Sequence, residues 1–186
     1  MDRRELVVRA GRGDHDAFAL LVTSSAARLD AAARLILRDA ELARDAGQDT
    51  LFRAWRDLPG LREPERFDAW LHRLLVNSCL DLARRRRRRP IEIEIGPIDE
   101  PATGDSARHL ADRDLVERAL ARLDPEHRAL VVLHYYLGYP LPEAASSLGI
   151  SLPAAKSRLH RALQGLRRTL RADVIDAPPL EGGRTA

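Results

Sequence analysis

A chain of 186 residues can form one domain or two small ones, and 45% hydrophobic residues suffice for a packed core. Aromatics at 4%, with Ala, Leu and Arg dominant, argue against a β-sheet protein, and the single cysteine, Cys79, excludes an internal disulfide and fits a reducing cytoplasm. The net charge of +3 is small but unevenly placed: Arg84–Arg89 and Lys156–Arg171 are basic, whereas Ile91–Ala107 carries Glu92, Glu94, Asp99, Glu100 and Asp105 with no Lys or Arg.

Asp2 to Ala10 suits a short helix ended by Gly11-Arg12-Gly13. Asp14 is a fair N-cap for a longer one reaching about Leu37, with Ala17, Phe18, Leu21 and Val22 opening its apolar face. Asp39 can cap the next, which runs through Asp57 to Pro59-Gly60. On it Ala43, Ala46, Gly47, Leu51, Ala54, Trp55 and Leu58 read as inward, and Asp45, Gln48, Asp49 and Phe52 as an outer row at three- and four-residue spacing. An exposed aromatic beside acids and an amide fits a protein-docking face. Leu58 to Glu65 is a loop with two prolines.

The next helix, Phe67 to Arg89, is the most informative. Phe67, Trp70, Leu71, Leu74, Leu75, Ser78 and Leu82 share one face, with Arg73, Asn77, Asp81 and Arg84 or Arg85 opposite. Six consecutive arginines then precede Pro90, which disfavours a helical residue before it. Such a run repels itself unless anions are near, so this surface suits a phosphate backbone with bases beside it. From Pro90, IEIEIGPIDEPATGDS reads as an extended acidic linker.

Helicity resumes near Asp112, with Leu115, Val116, Ala119, Leu120 and Leu123 on one face and a break at Asp124-Pro125, where Asp can cap. Glu126 to Leu137 reads as an apolar helix. Leu141 to Leu170 is a helix-turn-helix: Pro142 suits a helix start, Ala145 is small where two helices pass, and Gly149 suits a left-handed corner. Ser151 can cap a second helix whose inner face is Leu152, Ala155, Leu159, Ala162, Leu163 and Leu166. Lys156, Ser157, His160 and Arg161 project outward from it, as duplex reading in the major groove requires.

GDHDAFALLV (Gly13–Val22), ARDAGQDTLFRAWR (Ala43–Arg56), FDAWLHRLLVNSCLDLARRRRR (Phe67–Arg88) and LGISLPAAKSRLHRALQGLRRTL (Leu148–Leu170) together resemble an extracytoplasmic-function (ECF) sigma factor of bacterial RNA polymerase. The resemblance implies an all-α chain: a region-two domain over 1–90, an acidic linker over 91–111, a region-four helix-turn-helix domain over 112–172 and a disordered tail over 173–186. It implies an alternative sigma factor that binds the β and β′ subunits of core polymerase, reads the minus-thirty-five element as duplex and melts the minus-ten element. By the same resemblance Asp45, Gln48, Asp49 and Phe52 bind core. Leu61, Arg62, Trp70, Arg73, Asn77, Asp81, Arg84 and Arg85 face minus-ten DNA, and Lys156, Ser157, Arg158, His160 and Arg161 read the minus-thirty-five element. The linker matches the segment that threads the catalytic cleft of polymerase, and an anti-sigma factor is a further partner the family admits. Gly47, Asp49, Ala154 and Ala155 depart from the usual residues at their positions.

Two rival readings explain less. A helix-turn-helix regulator acting alone leaves Ala43–Arg89 without a role. An enzyme would need more than six scattered histidines, with no HExxH, cysteine cluster or glycine-rich phosphate loop. No catalytic residue, metal or cofactor is expected, no segment suits membrane insertion, and the expected location is the cytoplasm, with polymerase on the nucleoid.

Overall fold

The computed structural model describes residues 2–88 and 116–175, the last four as backbone only, and every regular element among them is helical. The expected linker and most of the expected tail lie outside the described residues. In chain order the helices are α1 (Arg3–Ala10), α2 (His15–Leu37), α3 (Ala40–Asp57), α4 (Phe67–Arg88), α5 (residues 116–121), α6 (Pro125–Val131), α7 (Leu141–Ser147) and α8 (Leu152–Ile175).

The first three helices start where short acceptors are placed to take orphan backbone N–H groups. Asp2 accepts from Arg4 N, Asp14 from Ala17 N at 2.9 Å and Asp39 from Leu42 N at 3.0 Å. The cap bond and Arg9 hold the Asp14 carboxyl below its ordinary pKa. Helices α1–α4 form one bundle around Leu21, Ile36, Phe67, Leu71 and Leu75, all essentially without exposed surface. Arg3 ties three helices together: it donates to Ser24 at 2.9 Å, to Ser25 at 3.0 Å and to both oxygens of Asp68, and it lies over the Phe67 ring. The Leu58–Glu65 loop contains a 3-10 turn over Leu58–Gly60, and a second over Pro64–Arg66 leads into α4.

The second unit holds the helix-turn-helix. Gly149 has φ +65°, and Ile150 N donates back to Ala145 O at 3.0 Å, which closes the corner between α7 and α8. Ala145 and Ala155 are buried at that crossing. Close approach recurs at Gly165, where an added Cβ would stand 3.3 Å from Leu123 Cδ2.

Four expectations need correction. Val116 is half exposed although it shares a helix face with buried Ala119 and Leu120, since it stands in the first described turn of α5. Asp124 begins α6 without capping it, since its carboxylate is bonded to Arg87 at 2.8 Å. The helix from Glu126 does not continue as α-helix to Leu137: it widens into a π-turn over Val132–Tyr136, with Leu137 N bonded to Val132 O at 2.9 Å. Helix α8 continues to Ile175, into the stretch expected to be tail.

The two units share one apolar cluster, with α6 and the π-turn lying against α2 and α6 also against α4. That packing buries a second stripe of α4: His72, Val76, Cys79 and Leu80. After the π-turn, Gly138 at φ +80° turns the chain so that Tyr139 reaches back to α4.

Candidate nucleic-acid interface

The α3 row divides. Asp45, Gln48 and Phe52 are exposed, Phe52 to 67%, a large amount for an unpartnered aromatic. Asp49 is only half exposed and already engaged: it accepts from buried Ser78 Oγ on α4 at 2.7 Å and pairs with Arg53 at 3.0 Å. Sequence periodicity put Asp49 in the same row as Asp45 but carried no signal that Ser78, on another helix, would hold it. Beneath the row, Trp55 stacks on His15 at 4.4 Å and meets Phe18 edge-on at 5.0 Å, fixing α3 on α2.

On α4 the polar row is present. Arg73, Asn77, Arg84 and Arg85 are exposed and Asp81 is half-buried. Asp81 is 3.4 Å from Arg84, so its carboxylate is drawn toward the arginine run rather than toward Asn77. Trp70 is half-buried and tilted against Phe67 at 5.9 Å, which makes it a core residue with one accessible edge. In the preceding loop Leu61 packs partly against the core and Arg62 is exposed. The row therefore offers three cations, Arg73, Arg84 and Arg85, with an amide and an aromatic edge, suited to phosphate neutralisation beside an unstacked base.

Within the arginine run, partners are specific. Arg84 reaches Glu126 at 3.5 Å, Arg86 reaches Asp39 at 2.6 Å and Arg87 reaches Asp124 at 2.8 Å. Arg85 and Arg88 are exposed.

On α8, Lys156, Ser157, His160 and Arg161 are exposed together on one face, His160 within 2.9 Å of Gln164. Arg158 is set apart: it is half-buried and paired with Glu126 at 3.1 Å. The outward set carries donors that can reach base edges and phosphates.

Several residues at the junction of the units have roles the sequence reading missed. His72, 6% exposed, lies 2.6 Å (Nδ1) from Tyr139 Oη, and His134 donates its Nδ1 hydrogen to Tyr139 O at 2.7 Å. Burial lowers the His72 pKa to about 4 and raises that of Tyr139 to about 12. A usable signal existed for His72, since His72, Val76, Cys79 and Ala83 recur at helical spacing on a second stripe of α4. Arg38, at φ 57° after α2, pairs with Glu117 at 3.1 Å. Buried Arg128 lies close enough to Arg38 that burial, helped by that neighbouring cation, lowers its pKa to about 10. The Nε atoms of both arginines are buried without a hydrogen-bond partner. Among the described residues no acid, histidine and cysteine group could hold a metal ion, and no helix is long and apolar enough to cross a membrane.

Comparison with known proteins places these faces in a family. The sigma-70 region 2 model matches residues 21–89, and the sigma-70 region 4 model matches 113–166. The ECF RNA polymerase sigma factor SigM of Mycobacterium tuberculosis is 35% identical over 167 residues, spanning 89% of this chain and 83% of that protein. SigL of the same organism is 38% identical over 138 residues, 71% of this chain and 76% of that one. Among solved structures, CnrH in complex with the cytosolic domain of CnrY is similar with a TM-score of 0.66 and 34% identity, over 92% of this chain and 98% of that one. RpoE in complex with the anti-sigma factor NepR from Bartonella quintana gives a TM-score of 0.70 at 26% identity, over 84% and 98%. With both region models in chain order and relatives matched along most of their length, the chain belongs to the ECF sigma factors, alternative initiation factors, not enzymes, that partner core RNA polymerase and direct it to specific promoters.

Proposed function

We propose a division of labour between three exposed rows. Asp45, Gln48 and Phe52 on α3 dock on core polymerase, with Asp49 held by Ser78 as the support of that row. Arg73, Asn77, Arg84 and Arg85 on α4, with Leu61 and Arg62 of the preceding loop and the edge of Trp70, face the melted minus-ten strand; Asp81 orients Arg84. Lys156, Ser157, His160 and Arg161 on α8 read minus-thirty-five duplex, and Arg158 joins them when Glu126 lets it go. The units then correspond to 1–90 and 112–172, and the protein works in the cytoplasm, on the nucleoid with polymerase. Two structural neighbours occur in complexes, CnrH with the cytosolic domain of CnrY and RpoE with the anti-sigma factor NepR, and they support an anti-sigma partner here too.

One observation carries this reading. Arg73 and Asn77 are exposed on a helix otherwise buried on two sides, so neither belongs to the core. A side-chain amide both donates and accepts, which suits the edge of an unstacked base. In-vitro transcription from genomic fragments tests the whole: specific start sites should appear only when chain and core are both present. Specific duplex binding with no core-dependent transcript would favour a stand-alone regulator instead.

The docking row has its own test. Asp45→Arg with Gln48→Arg should abolish co-purification with core while circular dichroism stays helical, since both side chains are exposed and neither supports the bundle. Undiminished co-purification contradicts the assignment.

A further inference from the structure

We propose that Arg38, at the end of α2, and Arg128, on α6, together hold a compact free oxyanion of the phosphate class. Neither arginine belongs to the three exposed rows, so this site lies outside both core docking and DNA reading.

Arg128 is only 7% exposed, and among the described residues no carboxylate forms an ion pair with it. A guanidinium so enclosed is costly unless acceptors surround it. The neighbouring acids are committed elsewhere, Glu117 to Arg38 at 3.1 Å and Asp124 to Arg87 at 2.8 Å. What lies near Arg128 instead is a second cation, Arg38, whose own side chain is 18% exposed. Burial, and then repulsion from Arg38, lowers the Arg128 pKa to about 10, which still leaves it charged at neutral pH. The junction therefore encloses more positive charge than Glu117 balances, and a buried donor left in that state calls for an ion.

The donor set selects which ion. In both arginines the Nε atom is buried without a hydrogen-bond partner. Nε and one terminal nitrogen form the side-on edge of a guanidinium, which matches a pair of oxygens on one anion. Glu117 meets Arg38 through Nη1, which is not on that edge, so the side-on edge of Arg38 remains open to a ligand. Two such edges suit a tetrahedral oxyanion, whose oxygens accept in pairs; a halide offers no pairing. With 7% of its surface open, Arg128 admits a small ion and excludes a duplex or a nucleotide. Because Arg38 ends α2 and Arg128 stands on α6, the bound ion joins the two helical units.

The phosphorus resonance of inorganic phosphate, followed as the full chain is added at constant ionic strength, reads binding directly. The parent should broaden or shift it saturably, and sulfate should compete. Arg38→Gln keeps an amide for Glu117 but loses the charged fork, and should weaken binding roughly ten- to hundredfold for each charge-assisted bond lost. Arg128→Met should abolish binding. In phosphate-free buffer it should also unfold no earlier than the parent on heating, because an apolar chain of similar length replaces an unpaired buried charge. Phosphate should raise the parent's midpoint with the logarithm of its concentration, beyond the general salt effect that Arg128→Met still shows. Arg12→Gln, at an exposed site in the turn after α1, lowers the net charge equally and should bind phosphate like the parent. Parent-like binding in both Arg38→Gln and Arg128→Met would mean an adventitious ion only, on an arginine-rich surface, and overturns the site. Equal loss in Arg12→Gln overturns it too, as does a parent signal that never saturates. Displacement by chloride as readily as by sulfate overturns the choice of an oxyanion.

Discussion

Helices α4 and α8 are both long, arginine-rich and amphipathic, yet α4 is buried on two sides and α8 keeps a broad polar face open. The first unit packs Phe67, Leu71 and Leu75 inward, and the second covers His72, Val76 and Cys79 from the other side. What stays exposed on α4 is a narrow strip led by Arg73 and Asn77, whereas α8 presents Lys156, Ser157, His160 and Arg161 together. A narrow strip with a rigid backing suits holding single bases; a broad face on one side of a helix suits lying in a groove.

The largest effect that can break this contrast is on stability. Leu75 has no exposed surface and sits in the bundle centre, so Leu75→Ala should cost about 2–5 kcal/mol by chemical denaturation. Asn77→Ala, two residues away, should stay within about 0.5 kcal/mol. Equal losses at the two sites would mean that the α4 strip belongs to the core after all.

Next in size is duplex affinity. Lys156→Ala and Arg161→Ala should each weaken minus-thirty-five binding by about 1–3 kcal/mol if the contact is to a base edge. If it is to a phosphate, the slope of log affinity against log salt should flatten by about 0.9. Parent-like binding at every salt concentration removes the α8 face from DNA reading.

Within each unit, local rules made most of the helical pattern legible in the sequence. Asp14 and Asp39 announced two helix starts, and Gly149 the corner of the helix-turn-helix, because caps and left-handed glycines act over three or four residues. The single stripe assigned to α4 was too narrow because it assumed one packing partner, and nothing in the residues around His72 names Tyr139, 67 positions away, as its neighbour. The π-turn was hidden for the same reason: Val132 to Tyr136 is an ordinary apolar helical stretch until the turn at Gly138 and the seam with α4 shape its end. For the candidate sites, Asn77, Lys156 and Arg161 were readable as exposed residues from spacing alone. Asp49 and Arg158 were not, since Ser78 and Glu126, which hold them, come from other helices.

A smaller effect sharpens the same comparison from α3. Gly47 is helical, and an added Cβ there would meet nothing within 4 Å. Gly47→Ala should therefore stabilise the chain by about 0.8–1 kcal/mol and leave core docking intact. A stabilised variant that no longer binds core would mean that the docking row needs a glycine's close approach at this point.

The account rests most heavily on Asn77, and permanganate footprinting of the promoter bubble, across a library of minus-ten sequences, tests it most directly. With core present, Asn77→Ala should keep core binding and minus-thirty-five duplex binding yet lose strand opening or change the preferred minus-ten base. Opening and base preference identical to the parent throughout the library would contradict the account, and would shift minus-ten recognition to the loop that carries Leu61 and Arg62.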